Sequence, residues 1–295
     1  MPSASNRQPP EIGIDISTAH PARVQNYLSG GDAHFAVDRE AIEQATAVLP
    51  GGLEAGRKSV RSMAAFHDRA LRYLVVEAGI RQFLKLGTAV PVGDDVHEIT
   101  QSAAPGTRVV YVGDDPTVLA HAHTLRNPGT QGPGDTPGAT AYVHGGIHDV
   151  EVILGEAALT LDLDRPVALV LPATLNFVAS SDDPYGIVAD FVEGVATGSY
   201  LVLTHITQEV GSDQAMSETA KRFSKLLGTP FVIRNRDEIA GFLTGLEPVD
   251  PGLVLIDQWW PPSTGTPTPA ESNHPPPNEP DGRPTPIYAC IARKP

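Results

Sequence analysis

Cysteine is almost absent from this chain: Cys290 is the single one in 295 residues. That excludes an intramolecular disulfide and any cysteine zinc cluster. Positive charge is scarce as well. Lys and Arg number 21 against 35 Asp and Glu, for a formal net charge of −14 and a pI near 5.0. Such a surface repels a phosphate backbone or an anionic membrane, so neither nucleic acid nor membrane is an expected partner. No stretch approaches the roughly 18 uninterrupted apolar residues of a spanning helix. The opening, MPSASNRQPPEIGID, has neither the charged start nor the apolar centre of a signal peptide. A cytoplasmic location is expected.

What is present describes a globular chain, with 41% apolar and 19% charged residues. Residues 1–12 are polar and proline-containing and are expected to be a disordered tail. Residues 13–78 read as a helical cap. ARVQNYL, AIEQATAVL and VRSMAAFHDRALRYLVVEAG carry apolar residues at helical spacing, with Gly79 as the stop. From Gly79 the pattern changes to alternating strands and helices. RQFLKLG, TRVVYVGDD, TAYVHGG, RPVALVLPATLNFV and GSYLVLTHIT read as five strands separated by helices. Right-handed crossovers then give a parallel sheet covered on both faces. LVLIDQWW and IYACIARK add two strands, expected as an antiparallel pair at one sheet edge. Proline-rich residues 261–286 lie between them and read as a mobile linker. The expectation is an α/β core over 79–295 with seven strands.

The first strand runs into Lys85-Leu86-Gly87-Thr88-Ala89, a strand–loop–helix of the kind that holds nucleotides. Glycine there lets the backbone approach a ligand, and the next helix offers free N–H groups. Read alone, Gly87 equally makes a tight turn. His144 and His148 stand four apart, but a Gly-Gly pair interrupts any shared helix, so no metal site is expected.

A Rossmann-like core ending in an antiparallel pair resembles the class I S-adenosylmethionine methyltransferases. More narrowly, the chain resembles an actinobacterial S-adenosyl methyltransferase family. The resemblance rests on HPARVQNYLSGGDAHFAVDRE, RALRYLVVEAGIRQFLKLGT, VHEI, RVVYVGDDPTVLAHA, LDRPVALVLPATLNFV, DDPYGIV, GSYLVLTH and ARKP, which span about Asp15 to Pro295. It implies S-adenosylmethionine as cofactor, with Gly87, Thr88 and Ala89 facing its methionine part and ribose. The family's D-I-G-T-G stands here as Lys85 to Ala89, with the acid replaced by a cation. Its V-D-N-D-P stands as Val112-Gly113-Asp114-Asp115-Pro116, leaving Asp114 to meet the ribose, with Asp115 either beside it or capping the next helix. Its V-D-A-D-L stands as Val143-His144-Gly145-Gly146-Ile147, placing adenine beside Gly146 and Ile147.

The resemblance also places Asn176 beside the transferred methyl group. An amide does not titrate, so Asn176 would orient a substrate and contact the cofactor without acting as a base. His205 is the one imidazole expected near the cleft, either catalytic or satisfied at its strand end. In the cap, Tyr27, Gly30 and Gly31 are expected to close over the cofactor, while Arg23 or Arg39 pairs with a carboxylate. Met63 stands where the family has a polar residue.

Polar partners are thus missing at Lys85, Gly113, Gly146 and Met63. Each lost charge-assisted bond is worth roughly 1.5–3 kcal/mol. Lys85 must either reach solvent through the cleft or pair with a carboxylate. In the cleft it would oppose a sulfonium, favour S-adenosylhomocysteine, and make Lys85→Asp a restoring change. Two functions follow: a methyltransferase acting on a small molecule, or a degenerate relative that binds a ligand or partner without turnover. A nucleotide-binding oxidoreductase is disfavoured because the three-glycine fingerprint is lacking. A homodimer is left open.

Overall fold

QFLKL, strand β1 (Gln82–Leu86), is buried along its whole length, as a central strand with helices on both faces requires. In the computed structural model, which describes residues 14–87, 89–118, 120, 138–210, 213–262 and 283–295, β1 is flanked by β2 (Arg108–Gly113) and β4 (Ala168–Pro172). Outside these lie β3 (Thr140–His144) and β5 (Tyr200–Ile206), and all five strands are parallel. The sheet continues through β8 (Ile287–Arg293), antiparallel to β5, to β6 (Glu247–Pro248), while β7 (Val254–Leu255) also pairs with β8. The order is β3-β2-β1-β4-β5-β8-β6. It reverses between β1 and β4, so a crevice opens at the carboxyl ends of those strands.

Among the described residues eight strands replace the expected seven. LVLIDQWW contributes only Val254–Leu255 before a 3-10 turn at Ile256–Gln258. That turn carries Trp259 inward, fully buried, with its ring edge-on to Phe66 at 5.2 Å. Burial of a large indole outweighs further ladder pairing there. The antiparallel partner of IYACIARK is therefore mainly β5, with β6 and β7 as two short pieces beyond it.

Eight helices are described: α1 (Pro21–Leu28), α2 (Ala36–Thr46), α3 (Leu53–Val76), α4 (Val96–Ala103), α5 (Val150–Ala157), α6 (Pro184–Glu193), α7 (Asp213–Leu227) and α8 (Arg236–Gly241). Four of the starts have a plain physical cause. Proline opens α1 and α6, where its missing N–H costs nothing. Asp95 and Glu98 form a reciprocal capping box on α4. Asn235 and Glu238 do the same on α8, a helix not foreseen from periodicity because it is barely one and a half turns long. Of the helix expected after β2, PTVLAHAHTL, residues 119 and 121–125 lie outside the described residues, as does nearly all of the expected loop after it.

Strand alternation sorts the core into two layers. Leu84 and Leu86 pack with Ile153, Phe191 and Phe242 on one face. Phe83 packs with Phe66, Leu71 and Trp259 on the other, under α3 and α4. Lys85 shares the parity of Phe83 and so is aimed at α3 and α4.

The expected tail lies outside the described residues, as does most of the expected linker. Its flanks are described and docked. Pro261 and Thr285 are buried, and the Thr285 N–H donates to Asp257 Oδ2 at 2.8 Å.

Candidate functional site

A cleft of about 1460 Å³ lies between the carboxyl ends of the parallel strands and helices α1–α3. Leu86 and Gly87 reach it from β1, Val112 and Asp114 from β2, Gly146 to His148 from β3, and Ala173 and Thr174 from β4. Gly87 has φ +82°, and a Cβ there would meet Thr174 Oγ1 at 2.6 Å. Glycine is required by this close approach as well as by the turn. The Thr174 hydroxyl donates to the Leu86 carbonyl at 2.6 Å and closes the switch point.

Lys85 does not enter the cleft. Its Nζ donates to Asp95 Oδ1 at 2.7 Å and Oδ2 at 3.0 Å, and it lies 5.5 Å from the Tyr111 ring centre. Of the two outcomes open to a buried ammonium, the carboxylate pair is the one realised. The expectation of a cationic cleft therefore falls, and with it Lys85→Asp as a restoring change. That substitution would set two carboxylates against each other. It is expected to lower the unfolding free energy by about 3–5 kcal/mol, the cost of breaking a buried pair. Urea denaturation would show this, and an unchanged midpoint would mean the ammonium does not depend on Asp95.

Ala89 is buried against Ala22 and Val118, so its methyl is directed into the α1 contact. Thr88 lies outside the described residues. Asp115 borders the cleft beside Asp114 but is fully buried, with His20 Nδ1 3.1 Å from its Oδ2. It accepts from the Thr117 N–H at 2.7 Å, which caps the following turn, and from Arg23 Nη1 at 3.2 Å. Arg23 Nε reaches Asp38 Oδ2 at 3.0 Å, and the Asp38 carboxylate also accepts from His20 N–H and Phe35 N–H at 2.9 and 2.8 Å. One buried guanidinium thus ties α1, α2 and the end of β2 together.

Asp114 is different. Its carboxylate is mostly exposed and opens onto the cleft, with His20 Nε2 at 3.6 Å. The neighbouring His20 imidazole holds it below the usual carboxylate range, outweighing partial desolvation. Across the cleft, a Cβ added to Gly146 would meet nothing within 4 Å. An exposed acid at the end of β2 opposite open backbone and Ile147 suits a ribose and an attached flat ring.

Asn176 and His205 are brought together but are fully buried behind the cleft wall. Asn176 Oδ1 accepts from Ile206 N–H at 3.1 Å, and its Nδ2 donates to the Val232 carbonyl at 2.7 Å. His205 Nε2 lies 3.0 Å from Arg234 Nη1. A guanidinium only donates, so Nε2 accepts and the ring proton sits on Nδ1, 2.8 Å from the Ile206 carbonyl. Burial pushes the His205 pKa down to about 3, the Arg234 charge adding to it against the Ile206 hydrogen bond. This geometry fits a scaffold holding β4, β5 and the Val232–Arg234 segment.

Tyr27, Gly30 and Gly31 do not line the main cleft. The Tyr27 hydroxyl donates to Glu43 at 2.6 Å. Gly30 and Gly31 border a separate hollow of about 490 Å³ beside Val90, and a Cβ at Gly31 would strike the Asn26 side chain. Arg39 Nη1 sits 3.2 Å from His34 Nδ1.

The second half of the cleft is apolar, and its residues escaped the sequence reading. Phe177, Phe223 and Phe231 form a ring cluster with centroids 5.0 to 6.4 Å apart, and Leu28 and Ile42 face it from the cap. They come from distant segments, so no local pattern marks them. His20 was visible inside HPARVQNYL but carries no signal until Asp114 is placed next to it. Among the described residues no group of His, Cys, Asp or Glu is arranged to hold a metal ion, and no helix is long and apolar enough to cross a membrane.

No functionally curated protein matches the chain. A DUF574 family protein from Streptomyces avermitilis is 35% identical, covering 96% of this chain and 100% of its own, with a TM-score of 0.79. A proposed methyltransferase from Thermobifida fusca is 30% identical, covering 97% and 98%, with a TM-score of 0.80. The plantazolicin methyltransferase BpumL, solved with SAH, is 10% identical with a TM-score of 0.50 and shows a shared fold alone. The family model described as S-adenosyl methyltransferase matches residues 7–295. With an α/β sheet of this order, the chain belongs to that S-adenosyl methyltransferase family, of class I, Rossmann-like architecture.

Proposed function

We propose that the cleft binds S-adenosylmethionine and serves methyl transfer to an apolar small molecule. The observation that carries this reading is the exposed Asp114 carboxylate at the end of β2, open to a cleft larger than one ligand needs. Small-molecule pockets usually enclose about 300–1,000 Å³, so a cleft of about 1460 Å³ has room for cofactor and substrate together. Asp114 accepts from ribose hydroxyls and stays ionised beside His20. Gly146 leaves its backbone open and Ile147 supplies an apolar surface for a flat ring. Leu86 and Gly87 present backbone where the chain turns under Thr174. Phe177, Phe223 and Phe231 exclude water and hold the acceptor's apolar body. When bound, the cofactor supplies a methyl group on a sulfonium sulfur, which leaves as a neutral thioether.

A second reading, ligand binding without turnover, is favoured by one specific feature. The wall at the end of β4 is built from Pro172, Ala173, Thr174, Phe177 and Val178 and carries no ionisable side chain. The Thr174 hydroxyl is spent on Leu86. The acceptor must then bring its own nucleophile, since nothing on this wall takes its proton.

Calorimetry with S-adenosylhomocysteine tests the shared part of both readings. Asp114→Ala is expected to weaken binding roughly ten- to a hundredfold, the worth of one charge-assisted bond. Unchanged affinity would sink the ribose assignment. Methyl transfer to apolar amines or thiols separates the two readings, because only the first yields a methylated product.

A further inference from the structure

We propose that the amino-terminal ends of the strands carry a second ligand site, for a compact polyanion of the di- or triphosphate class. It lies at the opposite end of the sheet from the cleft, in a depression of about 740 Å³. Four arginines line it: Arg81 and Arg108 at the starts of β1 and β2, Arg165 before β4, and Arg293 at the end of the antiparallel β8. The register brings them together, since Gln82 pairs with Arg108, Tyr200 pairs with Arg293, and Arg108 N–H donates to the Arg81 carbonyl at 2.9 Å.

Charge balance is the first support. The chain as a whole carries −14, yet this lining holds four guanidiniums and a single carboxylate, Asp162. Asp162 is committed to its own loop. Its Oδ1 accepts from Asp164 N–H at 3.2 Å, and its backbone is clamped on both sides by the Gln82 amide at 2.7 and 2.8 Å. A surface that needed arginines only for solubility would intersperse acids among them.

Preorganisation is the second. Arg81 Nη1 is held by the carbonyls of Val75 and Ile80 at 2.8 and 2.9 Å, and Arg108 Nη1 by that of Thr160 at 3.2 Å. Each of the two Arg81 bonds uses one of its guanidinium N–H donors and fixes where the others point. Arg293 has an exposed contact to Glu247 at 3.4 Å, a pair worth little in water. Arg165 makes no side-chain hydrogen bond or ion pair among the described residues. Guanidinium forks match phosphate oxygens in pairs. Glycines keep the hollow open: a Cβ at Gly106 would meet nothing, and one at Gly198 only Pro166 and the Arg293 guanidinium. Its volume falls within the range of small-ligand sites.

The test is calorimetry on the full chain at low salt with inorganic tripolyphosphate as the probe. Saturable binding is expected, weakening as salt rises. Arg165→Glu should lower the affinity at least about tenfold, as loss of one charge-assisted contact implies. That side chain is exposed and makes no polar contact among the described residues, so the variant is expected to keep the fold, and its unfolding midpoint and S-adenosylhomocysteine affinity should match the wild type. Arg108→Gln should weaken the probe in the same sense. No saturation by tripolyphosphate, or equal affinity in Arg165→Glu, overturns the proposal. Tighter binding of a poly-glutamate peptide than of tripolyphosphate also overturns it, and would make the hollow a docking point for an acidic protein segment. None of these outcomes bears on the cleft, which is read separately with the adenosyl ligand.

Discussion

Arg23→Ala is expected to remove about 3–5 kcal/mol of stability, the cost of leaving buried charge without its partner. The midpoint of thermal unfolding should fall by roughly 10 °C, at about 2–4 °C per kcal/mol for a chain of this size. The magnitude follows from what Arg23 holds. Its guanidinium is buried between Asp38 and Asp115, both of which are fully buried. Without it, two buried carboxylates lose the cation they share, and Asp115 keeps the His20 imidazole, whose Nδ1 lies 3.1 Å from its Oδ2. Arg23→Lys is expected to rescue little, because one ammonium cannot span two acids on different elements. Thermal unfolding of the two proteins at pH 7 reads the difference, and equal midpoints would mean the carboxylates find other partners. Because the same guanidinium joins α1, α2 and β2 beside Asp114, the variant should also lose affinity for S-adenosylhomocysteine.

Arg23, Asp38 and Asp115 also show how far the sequence was legible. All three stood inside segments that carried the family resemblance, and Arg23 was expected to pair with a carboxylate. Which carboxylates, and that one cation would serve two, depended on a contact 92 residues apart in the chain. Fold class was readable because five strands and their helices each announce themselves by local periodicity and by glycine or proline punctuation. The short strand β6 and helix α8 were not, since two to six residues carry no period, and β7 is a fragment of the strand expected at LVLIDQWW. At the site, local motifs placed Gly87, Asp114 and Gly146 on the cleft. The same motifs could not say which way a side chain turns. Lys85 and Ala89 occupy cofactor positions in the pattern, yet strand parity and the α1 contact send both away from the cleft. Asn176 and His205 sit at strand ends, as catalytic residues do, but the Val232–Arg234 segment closes over them. Apolar lining from α2, α7 and the loop after α7 left no local trace at all.

His205 leads to the second large effect, a loss of stability in acid. Burial and the Arg234 charge hold its folded pKa at about 3, against 6.5 in the unfolded chain. Between those values the unfolded state binds the extra proton and the native state does not, so the unfolding free energy falls as pH falls. Stability is complete above pH 6.5 and is lost progressively down to about pH 3. The slope is about 1.4 kcal/mol per pH unit for one histidine, and the total is on the order of 4–5 kcal/mol. His67 acts in the same direction: burial of its unpartnered Nε2, with the Lys85 charge nearby, pushes it down to about 3 as well. His205→Gln separates the two. A glutamine carbonyl can still accept from Arg234 but does not titrate, so the variant should keep the His67 slope and lose that of His205. Urea unfolding at pH 7 and pH 5 would read a wild-type loss larger than the variant's by about 2 kcal/mol, over the 1.5 units that lie below 6.5. S-adenosylhomocysteine affinity at pH 7 should be equal in the two proteins, because the imidazole lies behind the cleft wall and not in it. Parallel pH curves, or a ligand affinity that collapses in His205→Gln while stability holds, would put the imidazole back in contact with the cleft and with the chemistry.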